Sequence, residues 1–215
     1  MAEYVLAHVL QIERGLLQLH AQQKAKEWCE APFREPRCLT SLTLGVLGPG
    51  DIGRVVGRRA QGIGLRTVAL KRDGLAVPHF DEVLSELPAL LGQCDYVVSL
   101  LPSTPATRGL LSGGALRNCR KGAVLINAGR GDVVDEESIL LALAEGWLSH
   151  AVLDVFASEP LAPTSPLWTH PQVSITPHIS APSTPQDVAD VFIQNLERYA
   201  TGQDLLHVLD WKRGY

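Results

Sequence analysis

An α/β fold built on a doubly wound parallel sheet is what this sequence predicts, and three observations predict it. Short apolar segments alternate with segments of helical periodicity along most of the 215 residues, the pattern of a parallel sheet covered on both faces. A glycine turn, Gly48-Pro49-Gly50-Asp51-Ile52-Gly53, separates the first apolar segment from a helical one. The polar motifs fall at the carboxyl ends of the expected strands, where ligands collect in such sheets.

The elements follow in order. From Ala2 to about Lys26, Val5, Val9, Ile12, Leu16 and Leu19 form one apolar stripe at helical spacing, which predicts a single helix, facing either the core or a subunit interface. Glu30 to Thr40 carries Pro32 and Pro36 among several charges and reads as a loop. Strands are expected at 42–47 and 66–70, with a helix over 52–62 between them. The alternation of apolar and acidic residues over Phe80–Leu91 predicts a helix, and 96–101 a strand that stops at Pro102. A short helix at 115–120 and a strand at 123–126 come next. A helix over 136–145 follows, with Asp135 as its N-cap. Strands are expected at 151–155 and 173–175. A long helix runs from Thr184 to about Thr201 with Pro185 in its first turn, a favoured place for proline.

Bulk composition excludes several classes. The formal net charge is −4, which gives no electrostatic reason to expect nucleic acid or an acidic membrane. No apolar run approaches the length that crosses a bilayer, and Met1-Ala2-Glu3-Tyr4 does not begin a secretory signal. Cytoplasmic residence is the default expectation. Cys29, Cys38, Cys94 and Cys119 form no Cys-x-x-Cys pair and read as reduced thiols. No His-x-x-x-His spacing suited to zinc is present, so no metal is expected. Gly-x-Ser-x-Gly and the Gly-x-x-x-x-Gly-Lys-Ser/Thr phosphate loop are both absent from the sequence, against a serine hydrolase and a kinase-type phosphate site.

A glycine turn between strand and helix is the setting of a Rossmann-type dinucleotide site. Gly48 permits the tight turn, Gly50 lets backbone approach a pyrophosphate, and Gly53 allows close helix–strand packing. Amides near Asp51 and Ile52 then face the phosphates. An NAD-selective site places an acid on the ribose about twenty residues further on. Here Lys71 and Arg72 come first, and two cations favour a 2′-phosphate, so NADP, as NADPH in preference to NADH, is the expected cofactor. Asp73 stands beside them and could reach the ribose instead.

Arg130, Glu159 and His178 complete the chemistry: one guanidinium, one carboxylate and one imidazole, each beside an expected strand end. Together they suit the grip and protonation of an anionic 2-oxo acid, hence hydride transfer to or from such a substrate. With the glycine turn, these motifs, Leu101-Pro102-Ser103-Thr104-Pro105-Ala106-Thr107-Arg108-Gly109 and Thr176-Pro177-His178-Ile179 make the chain resemble the D-isomer-specific 2-hydroxyacid dehydrogenases over nearly its whole length. The Lys71-Arg72 pair and the ending Asp210-Trp211-Lys212-Arg213-Gly214-Tyr215 are most like the NADPH-linked glyoxylate/hydroxypyruvate reductases of that family. The resemblance implies Arg130 as the clamp on substrate carboxylate and keto oxygen, His178 as acid and base, and Glu159 as its hydrogen-bond partner. It further implies Asp154 at the nicotinamide carboxamide, with Leu101, Pro102 and Ala128 lining the cofactor groove.

Relatives place a substrate lobe ahead of the helix that starts here at Met1, and the sequence is expected to lack it. The expected division is a linking helix at 1–30, the dinucleotide-binding domain at 31–182, and a helix and tail of the substrate domain at 183–215. Apolar faces of the terminal helices are then expected to be exposed, and a homodimer or pairing with a full-length subunit is implied. Three functions fit: a reductase of a small 2-oxo acid, a catalytically impaired NADP(H)-binding short form, and a dinucleotide-sensing binding protein like the family's corepressors.

Overall fold

The computed structural model describes residues 1–30 and 36–211. Among the described residues, seven strands form one sheet in the order β3-β2-β1-β4-β5-β6-β7, and every pairing is parallel. They are β1 (Thr43–Leu47), β2 (Arg66–Leu70), β3 (Glu82–Leu84), β4 (Tyr96–Ser99), β5 (Ala123–Asn127), β6 (Leu148–Leu153) and β7 (Val173–Ile175). The helices are α1 (Ala2–Glu13), α2 (Leu16–Ala25), α3 (Asp51–Gly62), α4 (Leu87–Leu91), α5 (Glu136–Ala144) and α6 (Pro185–Ala200). The strand order reverses between β1 and β4, and a crevice opens at such a switch point.

The central strands carry apolar residues on both faces, so consecutive side chains enter two different cores. Val98, Val124 and Ile126 pack with Val5 and Val9 of α1 and Val56 and Ala60 of α3. Val97 and Leu125 pack on the opposite face with Leu90, Leu91, Ile139 and Leu143. Val5 and Val9 are fully buried, each worth roughly 2 kcal/mol by apolar transfer, which seats α1 on the sheet.

Two sequence expectations need correction. The single helix expected over 2–26 is two helices, because Gly15 turns left-handed at φ 57 and rotates the stripe off the sheet. Leu16 and Leu19 are consequently 51% and 39% exposed. The helix expected over 80–91 is instead the edge strand β3 followed by the short α4. Asp81 decides this locally. Its carboxylate accepts from the Thr67 amide at 2.7 Å and the Thr67 hydroxyl at 3.0 Å, aligning the segment beside β2. Smaller differences are a 3-10 turn at Ala115–Asn118 in place of a helix, and a β6 that starts at Leu148 and ends at Leu153, where 151–155 was expected. The 30–40 loop and the C-terminal ending lie partly outside the described residues, at 31–35 and 212–215.

The N-cap expected at Asp135 is present. Asp135 accepts from the Ser138 amide at 2.7 Å. Thr184 and Asp187 exchange hydrogen bonds at the start of α6, a reciprocal cap of about 1 kcal/mol. Val188, Phe192, Leu196 and Tyr199 of α6 are exposed. None of the described helices is long and apolar enough to cross a membrane.

Candidate active site

A cavity of about 830 Å³ lies at the carboxyl ends of β1 and β4. Gly48, Gly50 and Ile52 form one side of it, and Leu101, Pro102, Ala128 and Arg130 another. Lys71 and Arg72 close the end beyond β2.

The glycine turn is shaped for a close ligand. Gly48 has φ +93 and Gly53 packs against the Gly48 carbonyl, which a Cβ there would approach to 2.4 Å. A Cβ on Gly50 would meet nothing within 4 Å, so open space lies over that amide and the N-terminus of α3. Among the residues expected at the cofactor, Asp51 does not line the cavity. Its carboxylate pairs with Arg54 and, at 3.1 Å, with His207. Gly53 serves packing rather than lining. Lys71 Nζ is 3.0 Å from Asp73 Oδ1, and Asp73 also accepts from the Leu75 amide. Arg72 makes no ion pair with a described residue.

Arg130 is placed by a tightly fitted loop after β5. Buried Asn127 donates to the Arg130 carbonyl at 3.1 Å, and Arg130 Nη1 donates to the Gly129 carbonyl at 2.8 Å. A Cβ on Gly129 would come within 2.8 Å of the Leu101 backbone, so the loops after β4 and β5 touch through bare backbone. Gly131 is tighter still, since its Cβ would lie 1.9 Å from the Phe156 carbonyl carbon. Gly131→Ala is therefore expected to destabilise the fold by about 3 kcal/mol, read as a lower denaturant midpoint in urea unfolding.

His178 follows β7 and has a left-handed backbone at φ 56, which a residue other than glycine holds only where its surroundings over-determine it. Asp154 provides that restraint. Its carbonyl accepts from the His178 amide at 2.9 Å. Its carboxylate accepts from the Ile179 and Ser180 amides, both at 2.9 Å, and from the Thr176 hydroxyl at 2.5 Å. Burial would raise this carboxyl, but the donors from Ser180, Thr176 and Ile179 outweigh it and hold it below the usual range. Asp154 is fully buried and is not among the cavity-lining residues; the structure turns it inward, to the loop.

Glu159 Oε2 lies 2.8 Å from His178 Nδ1, and Glu159 Oε1 accepts from the Phe156 amide at 2.9 Å. The His178 hydrogen bond lowers the Glu159 carboxyl, helped by that amide and opposed by partial burial. The side chains of His178 and Glu159 are 52% and 36% exposed. Sequence reasoning missed Ser85, Glu86, Leu87 and Pro88 on the cavity wall, because it read the β3–α4 corner as one helix. It also missed Thr176 as a contact of Asp154, although the residue stands within a motif it had singled out.

The family model of the D-isomer specific 2-hydroxyacid dehydrogenase NAD binding domain matches residues 6–180. The chain belongs to that family. It is 33% identical to glyoxylate/hydroxypyruvate reductase A of Yersinia enterocolitica, over all of this chain and 68% of that protein. A D-isomer specific 2-hydroxyacid dehydrogenase family protein from Aeromonas salmonicida superposes with a TM-score of 0.89 at 40% identity, over 98% of this chain and 67% of that one. An NADPH-dependent glyoxylate/hydroxypyruvate reductase from Sinorhizobium meliloti, crystallised with NADP and sulfate, gives 0.90 at 32% identity, over 100% and 69%.

Proposed function

We propose that this chain carries the dinucleotide site and the acid–base residues of an NADPH-linked reductase of a small 2-oxo acid, of the glyoxylate or hydroxypyruvate kind, giving the D-2-hydroxy acid. One observation carries the reading: Arg130 lines the glycine-turn cavity from the end of β5, and the Glu159–His178 pair stands at the same edge of the sheet.

The open space at Gly50 and the amides of α3 fit a pyrophosphate. Leu101, Pro102 and Ala128 offer an apolar wall to the rest of the dinucleotide. A bound nicotinamide supplies the hydride. Arg130 would hold the substrate carboxylate and keto oxygen through its planar guanidinium. With Nδ1 occupied by Glu159, His178 presents Nε2 to the carbonyl oxygen and donates the proton that reduction requires. Asp154 would support this site by holding the His178 loop, in place of the nicotinamide contact that the resemblance implies.

Arg72 supports the NADPH preference, being an exposed cation on the cavity wall, while Lys71 divides its charge with Asp73. The test is steady-state turnover of the 215-residue chain with glyoxylate or hydroxypyruvate, comparing NADPH with NADH. Arg72→Ser is expected to lower kcat/KM for NADPH about 30-fold and to leave NADH nearly unaffected. A wild-type preference for NADH would remove the assignment. A second reading, dinucleotide binding without turnover, draws support from the exposure of His178 and Glu159, because water weakens electrostatic work at an open site. It predicts NADPH binding with no detectable reduction. Self-association, as the family resemblance implies, completes the proposal.

A further inference from the structure

The geometry points to Tyr4, at the other end of the chain from His178, as a positioning residue for the proposed reaction, acting through Thr176 and Asp154 on the loop that presents His178. The inference rests on the reading of His178 as the proton donor.

Tyr4 lies in the first turns of α1, and its hydroxyl is 2.7 Å from Thr176 Oγ1. That oxygen is 2.5 Å from Asp154 Oδ1. The direction of both hydrogen bonds follows from proton count. Thr176 has one hydroxyl proton, and an ionised carboxylate can only accept. Thr176 therefore donates to Asp154, and Tyr4 must donate to Thr176. Burial, reinforced by the Asp154 charge and opposed by the Thr176 hydrogen bond, pushes the Tyr4 phenol up to about 12, so it keeps the proton this direction needs. His8 fixes the ring of Tyr4 from one turn further on, edge to face with centroids 4.5 Å apart.

Asp154 is where this chain of hydrogen bonds becomes functional. It accepts the amides of His178, Ile179 and Ser180 in succession, and His178 is the residue with the left-handed backbone. Thr176 shares one acceptor oxygen, Oδ1, with the Ile179 amide. Its orientation therefore sets where that oxygen sits, and Tyr4 sets the orientation of Thr176. Without the Tyr4 donor, Thr176 keeps its bond to Asp154 but is held by one partner in place of two, and Oδ1 is fixed less firmly against the His178 loop. Small displacements of an acid–base group reduce catalysis out of proportion to their size.

The experiment uses the 215-residue chain and the variants Tyr4→Phe, Thr176→Val and Thr176→Ser. It reads kcat and KM for glyoxylate with NADPH, the NADPH dissociation constant by fluorescence titration, and amide exchange at 178–180 by NMR. Tyr4→Phe is expected to lower kcat about ten-fold at an unchanged NADPH dissociation constant. Amide exchange at 178–180 should quicken about ten-fold relative to the amides of β5. Thr176→Val should do both more strongly, and Thr176→Ser should restore both. Wild-type kcat in Tyr4→Phe overturns the proposal, whether or not exchange changes. So does a loss of kcat matched by weaker NADPH binding, or a failure of serine to rescue. A wild-type chain that binds NADPH without turnover defeats the functional reading instead, and amide exchange at 178–180 then still decides whether Tyr4 grips the loop.

Discussion

Replacing His178 by glutamine is expected to lower kcat for 2-oxo acid reduction about a thousand-fold, with the NADPH dissociation constant unchanged. Positioned acid–base catalysis contributes roughly 10²–10⁴-fold, and the other carboxylate-paired imidazole among the described residues, His207, is paired with Asp51, which does not line the cavity. Glutamine keeps the size of the side chain and a hydrogen-bonding amide, but it supplies no transferable proton. Steady-state rates at saturating NADPH, with fluorescence titration of the cofactor, separate the two effects. Glu159 adds no titration of its own near neutrality. Its carboxyl, lowered by His178 from an ordinary 4.5, stays ionised above that value, and any limb it contributes lies on the acid side. A glutamine variant with wild-type kcat would take His178 out of the mechanism.

Arg130→Gln is expected to reduce kcat/KM for the oxo acid about 500-fold, through both KM and kcat, while NADPH affinity holds. One charge-assisted, two-pronged contact to a carboxylate is lost, together with a donor to the oxygen that gains charge in reduction, a contribution on the order of 10²–10³. Arg130→Lys should recover only a small part, since an ammonium cannot make the planar two-pronged contact. Its loop argues that the effect will be local. The backbone around Arg130 is fixed by Asn127, Gly129 and Gly131, and among the described residues its side chain bonds only the Gly129 carbonyl. Kinetics in both variants, with urea unfolding as a control for the fold, test this. An Arg130→Gln enzyme with unchanged KM would place the substrate elsewhere.

Much of the architecture was legible because it is written in period and punctuation. Buried parallel strands are apolar runs, and the runs at 66–70 and 173–175 coincide with β2 and β7. The glycine turn declared itself by standing between β1 and α3. Where the reading failed, one side chain or one backbone angle decided the outcome. Gly15 interrupts a stripe that is otherwise continuous. Asp81 turns an apolar–acidic alternation into β3. Arg130, Glu159 and His178 stood out by type and place, and the structure sets Arg130 on the cavity wall and Glu159 2.8 Å from His178. Asp154 stood out by its place at a strand end, but not as a residue that faces inward, because an aspartate there reads the same whichever way it points. Tyr4 and Thr176 are 172 positions apart, and no local pattern pairs them.

The grip of Asp154 on the following loop is made of amides. It consults the backbone of 178, 179 and 180 and is nearly blind to the identity of the residue at 179, whose side chain is exposed. That separates two kinds of sequence freedom within four residues. Position 178 is constrained by what its ring does, and position 179 only by the need to carry an N–H, which proline alone lacks. The segment can therefore drift in composition at its surface while the imidazole beside it stays in place.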